Sequence, residues 1–197
     1  CLTNLGHFVR QAALYNESYG GRMPIAYYRS FDGVTFVNHA WDFTTSKDWS
    51  TSPPTTRTHA GILWDGYDVH EIHQCPSYDG GANWMDDPYT GYNYNTSYVG
   101  HGAAERIPEP VLAEGIRAPG ACALFGDGEY GGGANKFMRS PFASPADEGF
   151  GGRYAGTQGY RHLERTNVAF ADGRAVAWDQ RHTSSYPNVE SRIADGT

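Results

Sequence analysis

Long apolar runs are missing from this 197-residue chain: no stretch approaches the ~18 residues a transmembrane helix requires, and no short apolar leader segment is present. A soluble chain is expected. Basic residues are scarce too, with 15 lysines and arginines against 22 acidic residues and a formal net charge of −7. Affinity for phosphate backbones comes from clustered Lys and Arg, so nucleic acid is not expected as a partner. Only three cysteines occur, none in a CxxC pair, which argues against a zinc ribbon or a thioredoxin-like centre. A GxSxG elbow, a P-loop and a Rossmann glycine pattern are all lacking. No enzyme and no catalytic residue is expected.

What is plentiful is glycine and aromatic rings: 25 Gly, 14 Tyr and 5 Trp, with a mean hydropathy of −0.59. That composition favours loops, turns and short aromatic strands over long helices. The length suits one domain, residues 1–197, able to bury roughly 70% of its unfolded surface.

One stretch has helical periodicity. Leu2, Leu5, Phe8, Val9 and Ala12 recur at i, i+3 and i+4 spacing within Leu2–Ser18, with Thr3 or Asn4 available as a cap and Gly20-Gly21 as a stop. A helix over 1–20 is predicted. It lacks a strong N-terminal stop, as the end of a longer helix absent from this chain would, and position 1 is Cys rather than Met, so an upstream piece is expected to have been removed. Beyond Pro24 the pattern changes to short strands bounded by Gly, Pro or Asp-Gly: Ile25–Phe31, Val34–His39, Gly61–Trp64, Val69–Gln74 and Ala121–Phe125. Trp41–His59, rich in Ser, Thr and Pro, and Tyr78–Gly102, rich in Asn, Tyr and Gly, read as long surface loops.

Asp-Gly occurs six times, but only Asp172-Gly173 is flanked on both sides by apolar strand pattern. A two-residue type I′ turn there would pair Phe170 with Ala175, Ala169 with Val176, Val168 with Ala177 and Asn167 with Trp178. His162 lies upstream of that turn. It and Asp172 could form an acid/base pair, but a His and a turn Asp more often secure a corner. His70-Glu71-Ile72-His73 is not a HExxH zinc motif, since its histidines are three apart and would face opposite sides of a strand.

Among the cysteines, Cys75 opens Cys75-Pro76-Ser77 at a strand end and Cys122 lies in an apolar run. A Cys1–Cys75 bridge with Cys122 buried and reduced is expected, three free thiols being the other reading. The calcium candidates are Asp127 with Glu129, or Asp86 with Asp87, set against the alternative of solvated acidic loops. Trp84, Tyr89, Tyr92, Tyr94 and Tyr98 form an aromatic loop able to stack on sugar rings or to pack between subunits.

Four segments, in order, resemble the prepilin-type processing-associated H-X9-DG proteins, pilin-like relatives of type II secretion pseudopilins. They are Cys1-Leu2-Thr3-Asn4-Leu5 through Tyr15 with Gly21 to Pro24; Cys75-Pro76-Ser77 followed by Thr96–Gly100; Ile116–Pro119 through Phe125–Asp127; and Arg161-His162 to Asp172-Gly173. Arg174 stands where His is common, Cys122 replaces a polar position, and 128–160 matches no part of the pattern. The resemblance implies an α+β pilin-like fold: an N-terminal helix packed on an antiparallel β-sheet, with long loops and a C-terminal β-hairpin. It implies that a Cys1–Cys75 disulfide ties helix to sheet, closing a loop of about 75 residues worth roughly 4 kcal/mol, and some pseudopilins hold calcium. It further implies a bacterial structural subunit, extracellular or at the cell surface, that self-assembles into a filament and reaches the membrane only through an N-terminal segment absent here. The alternative is a secreted carbohydrate-binding module using residues 84–98 on a polysaccharide.

Overall fold

The computed structural model describes residues 1–82, 88–100, 109–129, 133–138 and 158–179. The predicted helix forms as α1, Leu2–Ser18, and buries Leu5, Phe8, Val9 and Ala12. Cys1 sits at its N-cap without a side-chain capping bond, so neither Thr3 nor Asn4 caps it; Asn4 Nδ2 instead donates to Gln74 O and to Tyr92 Oη. At the other end Gly20 and Gly21 adopt positive φ and the Gly21 N–H returns to Asn16 O at 2.9 Å, a glycine stop that satisfies an orphan carbonyl.

Eleven strands follow among the described residues. Tyr27–Phe31 (β1), Thr35–Ala40 (β2), Phe43–Asp48 (β3) and Thr55–Ala60 (β4) form an antiparallel sheet in sequence order. The segment expected as a loop, Trp41–His59, thus supplies two strands. Threonine favours strands without marking a buried face, and pairs such as Thr45 with Thr58 and Ser46 with Arg57 leave no apolar alternation to read.

The second sheet runs β11-β10-β7-β6-β9: Ala175–Trp178, Thr166–Phe170, Ala123–Asp127, Tyr92–Asn95 and Phe137–Met138. Its pairings are antiparallel except β6 with β9. Gly81–Ala82 (β5) and Gly133–Ala134 (β8) make a small parallel pair. The remaining two expected strands are not strands: Ile62–Trp64 and Val69–Glu71 are 3-10 turns, the second capped reciprocally by Asp68 and Glu71. The architecture is α+β, one N-terminal helix against antiparallel sheets. Among the described residues no helix is long and apolar enough to cross a membrane.

The core is aromatic. The Phe8 ring meets Trp41, Trp64, Tyr92 and Phe125 edge-on at 5.0 to 5.7 Å between centroids, and Tyr94 stacks on Phe125 at 4.8 Å. Each such pair adds about 0.5–1.5 kcal/mol beyond its buried area. Asp42 and Lys136 form a buried ion pair at 3.0 Å, beside the Trp41 Nε1 donation to Lys136 O at 2.8 Å.

The closing hairpin forms, in a different register. Asn167 faces Ala177, Val168 faces Val176 and Ala169 faces Ala175, one residue away from the pairing that a type I′ turn would set. Only Gly173 has positive φ, and the Phe170 N–H bonds Arg174 O. This is a three-residue loop, a type I turn closed by a left-handed glycine. Strand β10 is buried throughout, whereas β11 is a half-exposed edge.

Candidate functional site

Four sequence segments meet at the start of α1. Cys1 projects from the helix N-cap. Cys75 is held beside it by its N–H to Thr90 O, 2.7 Å, and packs on Gly91, where positive φ and a would-be Cβ 3.0 Å from Cys75 Cβ leave room only for glycine. Asp127 ends β7. Arg161 and His162 precede β10, at a tight turn in which His162 and Arg165 exchange backbone hydrogen bonds of 3.2 and 3.1 Å. Its central residues, Leu163 and Glu164, both lie at positive φ, 54° and 63°. The type I′ conformation expected at Asp172-Gly173 therefore occurs here, on two residues that adopt it at a cost.

The reactive atoms converge. Cys1 Sγ is 3.2 Å from Cys75 Sγ, and Cys75 Sγ is 3.9 Å from His162 Nε2. His162 Nε2 is also 3.3 Å from Asp127 Oδ2, which accepts the Asn167 N–H at 2.6 Å. Arg161 lies across the group: Nε donates to Cys75 Sγ at 3.3 Å, Nη2 to Asp127 Oδ1 at 3.2 Å and to Gly91 O, and Nη1 is 3.8 Å from Glu129 Oε2. Its guanidinium also covers the Tyr78 ring at 5.2 Å. Burial lifts the Asp127 carboxyl above its ordinary range, with Arg161, the Asn167 N–H and His162 pulling it back. Burial, then the charge of Glu129, pushes the Tyr78 phenol up to about 12. Burial and the neighbouring Cys75 raise Tyr92 as well.

This geometry brings together Cys1, Cys75, His162 and Asp127, and leaves Asp172 and Gly173 at the hairpin tip. There Asp172 Oδ1 accepts the Arg174 N–H at 3.0 Å, so no His162–Asp172 pair exists. Arg161 lies between the calcium candidates Asp127 and Glu129, at 3.2 Å and 3.8 Å. Cys122 is half-buried, its thiol raised by burial. His70 and His73 lie in and after a 3-10 turn, not on a strand, and His73 Nε2 meets His7 Nδ1 at 2.9 Å. Of the aromatic loop, Tyr92 and Tyr94 are core residues with no surface to offer. Tyr89 is half-buried and donates to Gly80 O, and Tyr98 is exposed. Trp84, Asp86 and Asp87 lie outside the described residues.

No family model, curated protein or solved structure matches the chain. Arg161 was missed from sequence although it adjoins His162, because its partner Asp127 is 34 residues away and no periodicity links them. Also missed was a groove of about 680 Å³ between the end of α1, the first sheet and residues 61–69. Tyr15 stacks on Tyr19 at 4.1 Å and Tyr28 on His39 at 4.2 Å at its walls, and Trp64 lines it, its buried Nε1–H without a hydrogen-bond acceptor among the described residues.

Proposed function

We propose that the protein is the globular head of a pilin-like, H-X9-DG-type structural subunit, extracellular or at the cell surface, that works by self-association and has no catalytic role. The observation that carries this reading is the convergence of Cys1, Cys75, Asp127, Arg161 and His162, all from the family-like segments, on the junction between α1 and the second sheet. Residues that fasten a helix to a sheet belong to architecture, and here Cys75 and Asp127 are buried while Cys1, Arg161 and His162 are half-buried. In an oxidising compartment the adjacent Cys1 and Cys75 sulfurs would close a disulfide across that junction. An exposed apolar tip supports self-association: Phe31 and Trp49 are 63% and 58% exposed, with the Trp49 N–H bonded to Val34 O, and such patches mark contact surfaces. Electron microscopy of native material tests the reading, with ordered filaments expected, and lost in Trp49→Ser; monodisperse particles under all conditions would overturn it.

A second reading, a secreted carbohydrate-binding module, moves from loop 84–98 to the groove. Its aromatic walls suit an oxygen-rich ring with an apolar face. Titration with a panel of soluble polysaccharides, read by Trp fluorescence, should then quench the wild-type signal and not that of Trp64→Phe.

A further inference from the structure

Among the described residues one cluster of metal-ligating side chains is present, and it is formed by Cys1 Sγ, Cys75 Sγ and His162 Nε2, all within 4.8 Å of one another. We propose that, with both thiols reduced, these three atoms bind a borderline-soft divalent cation, Zn²⁺ by preference. The inference does not depend on the filament reading, and a filament-forming or a monomeric protein would carry the site equally.

The distances suit a tetrahedral ion. With Zn–S of about 2.3 Å and Zn–N of about 2.0–2.1 Å, tetrahedral geometry sets S···S near ~3.8 Å and S···N near ~3.5 Å. The observed separations are 3.2 Å between the sulfurs and 3.9 Å from Cys75 Sγ to His162 Nε2, each about half an ångström from those values, and Cys1 Sγ lies within 4.8 Å of His162 Nε2. Two thiolates and one imidazole are the donor set that selects Zn²⁺ over Mg²⁺ or Ca²⁺, which take oxygen. Three protein ligands leave a fourth position for water.

Charge and the surrounding hydrogen bonds agree. Two thiolates neutralise the dication, and Arg161 lies against Asp127 at 3.2 Å and Glu129 at 3.8 Å, so the ion adds no net charge to the group. The Arg161 Nε–H reaches Cys75 Sγ, the kind of donor that supports a metal-bound thiolate. On binding, each thiol releases its proton and His162 binds through the Nε2 lone pair, its proton residing on Nδ1. Asp127 keeps Arg161 and the Asn167 N–H. A disulfide alone needs none of this shell. Nor does packing explain the turn that positions His162, since Leu163 is 95% exposed while it and Glu164 hold left-handed backbone. Strain of that kind, fixed next to polar groups, accumulates at binding sites. A Cys1–Cys75 disulfide and the bound ion exclude each other, so the site belongs to the reduced protein.

The test is anaerobic Co²⁺ titration of the reduced chain, followed by Zn²⁺ competition. One equivalent should bind with a near-ultraviolet thiolate-to-cobalt charge-transfer band and the intense visible bands of tetrahedral cobalt, and Zn²⁺ should displace it. Cys122→Ser should behave as wild type. Cys75→Ser should lose the charge-transfer intensity, and His162→Asn, which keeps both sulfurs, should weaken binding by at least about tenfold; circular dichroism confirms that each variant is folded before titration. Sub-stoichiometric binding by the reduced wild type, or an unchanged spectrum and affinity in His162→Asn, would overturn the proposal.

Discussion

His162 Nε2 stands 3.3 Å from Asp127 Oδ2, while Asp172, its companion in the signature segment, meets only Arg174 among the described residues, at the tip of the hairpin. The two aspartates therefore carry unequal weight. Asp127 is fully buried and balances Arg161, and removing one partner of a buried pair costs about 3–5 kcal/mol. Asp127→Ala should lose that much by urea denaturation. Asp172→Ala, at an exposed turn, should lose about 1 kcal/mol or less. Equal losses would mean that the hairpin tip, not the buried carboxylate, anchors the motif.

The two turns make opposite predictions. Gly173 has φ +93° with nothing near the position of a Cβ, so Gly173→Val should cost about 1–2 kcal/mol through backbone strain alone, without a steric clash to abolish folding. Leu163 and Glu164 already bear that strain. Leu163→Asn with Glu164→Gly should recover about 1 kcal/mol, a rise in melting temperature of about 2–4 °C at this chain length. A drop in melting temperature would show that the Leu163 or Glu164 side chain stabilises the turn by more than its backbone strain costs.

How much of this was legible follows from where the apolar pattern is visible. Helix α1 has a clear 3.6-residue stripe, and each of Leu5, Phe8, Val9 and Ala12 is buried as that stripe requires. Strand β6 reads as loop because it buries amides: Asn93 accepts from Gln158 Nε2 and Asn95 Nδ2 donates to Ala123 O, so its polarity is satisfied internally rather than by water. The hairpin register slipped because Asp-Gly serves both a type I′ turn and a type I turn closed by a left-handed glycine; the two differ in φ at Asp172. At the site, both sulfurs and His162 were marked by the segments that carry them. Their meeting with Asp127 and Arg161 depends on the pairing of β10 with β7, which no local pattern encodes.

Acidification should act on the first sheet. Burial holds the His39 imidazole below its ordinary value of 6.5, where it stacks on Tyr28 and bonds Ser30 Oγ at 3.0 Å. A histidine whose folded pKa lies below the unfolded value disfavours protonation of the native state. Its contribution to stability is therefore complete above pH 6.5 and declines as the pH falls below that value through the folded pKa. An NMR titration should place His39 under 6.5, and His39→Gln should flatten the decline of melting temperature between pH 6.5 and 5. A value above 6.5 would reverse the sign and remove the effect.

The Asp42–Lys136 pair joins the turn after β2 to the segment before β9, and so links the two sheets through charges that are almost fully buried. Asp42 Oδ1 also accepts the Phe43 N–H at 2.9 Å, so an amide at this position keeps part of the network. Lys136→Met takes the ammonium away from the buried Asp42 carboxylate and should cost about 3–5 kcal/mol. Asp42→Asn alone leaves the ammonium buried and should cost a comparable amount. The double variant has no buried charge to desolvate and retains the Phe43 bond, so its loss should be smaller than either single loss. A double-mutant cycle by chemical denaturation reads this as a coupling of several kcal/mol; simple additivity would mean that water reaches the pair and that the link between the sheets is carried by Trp41 instead.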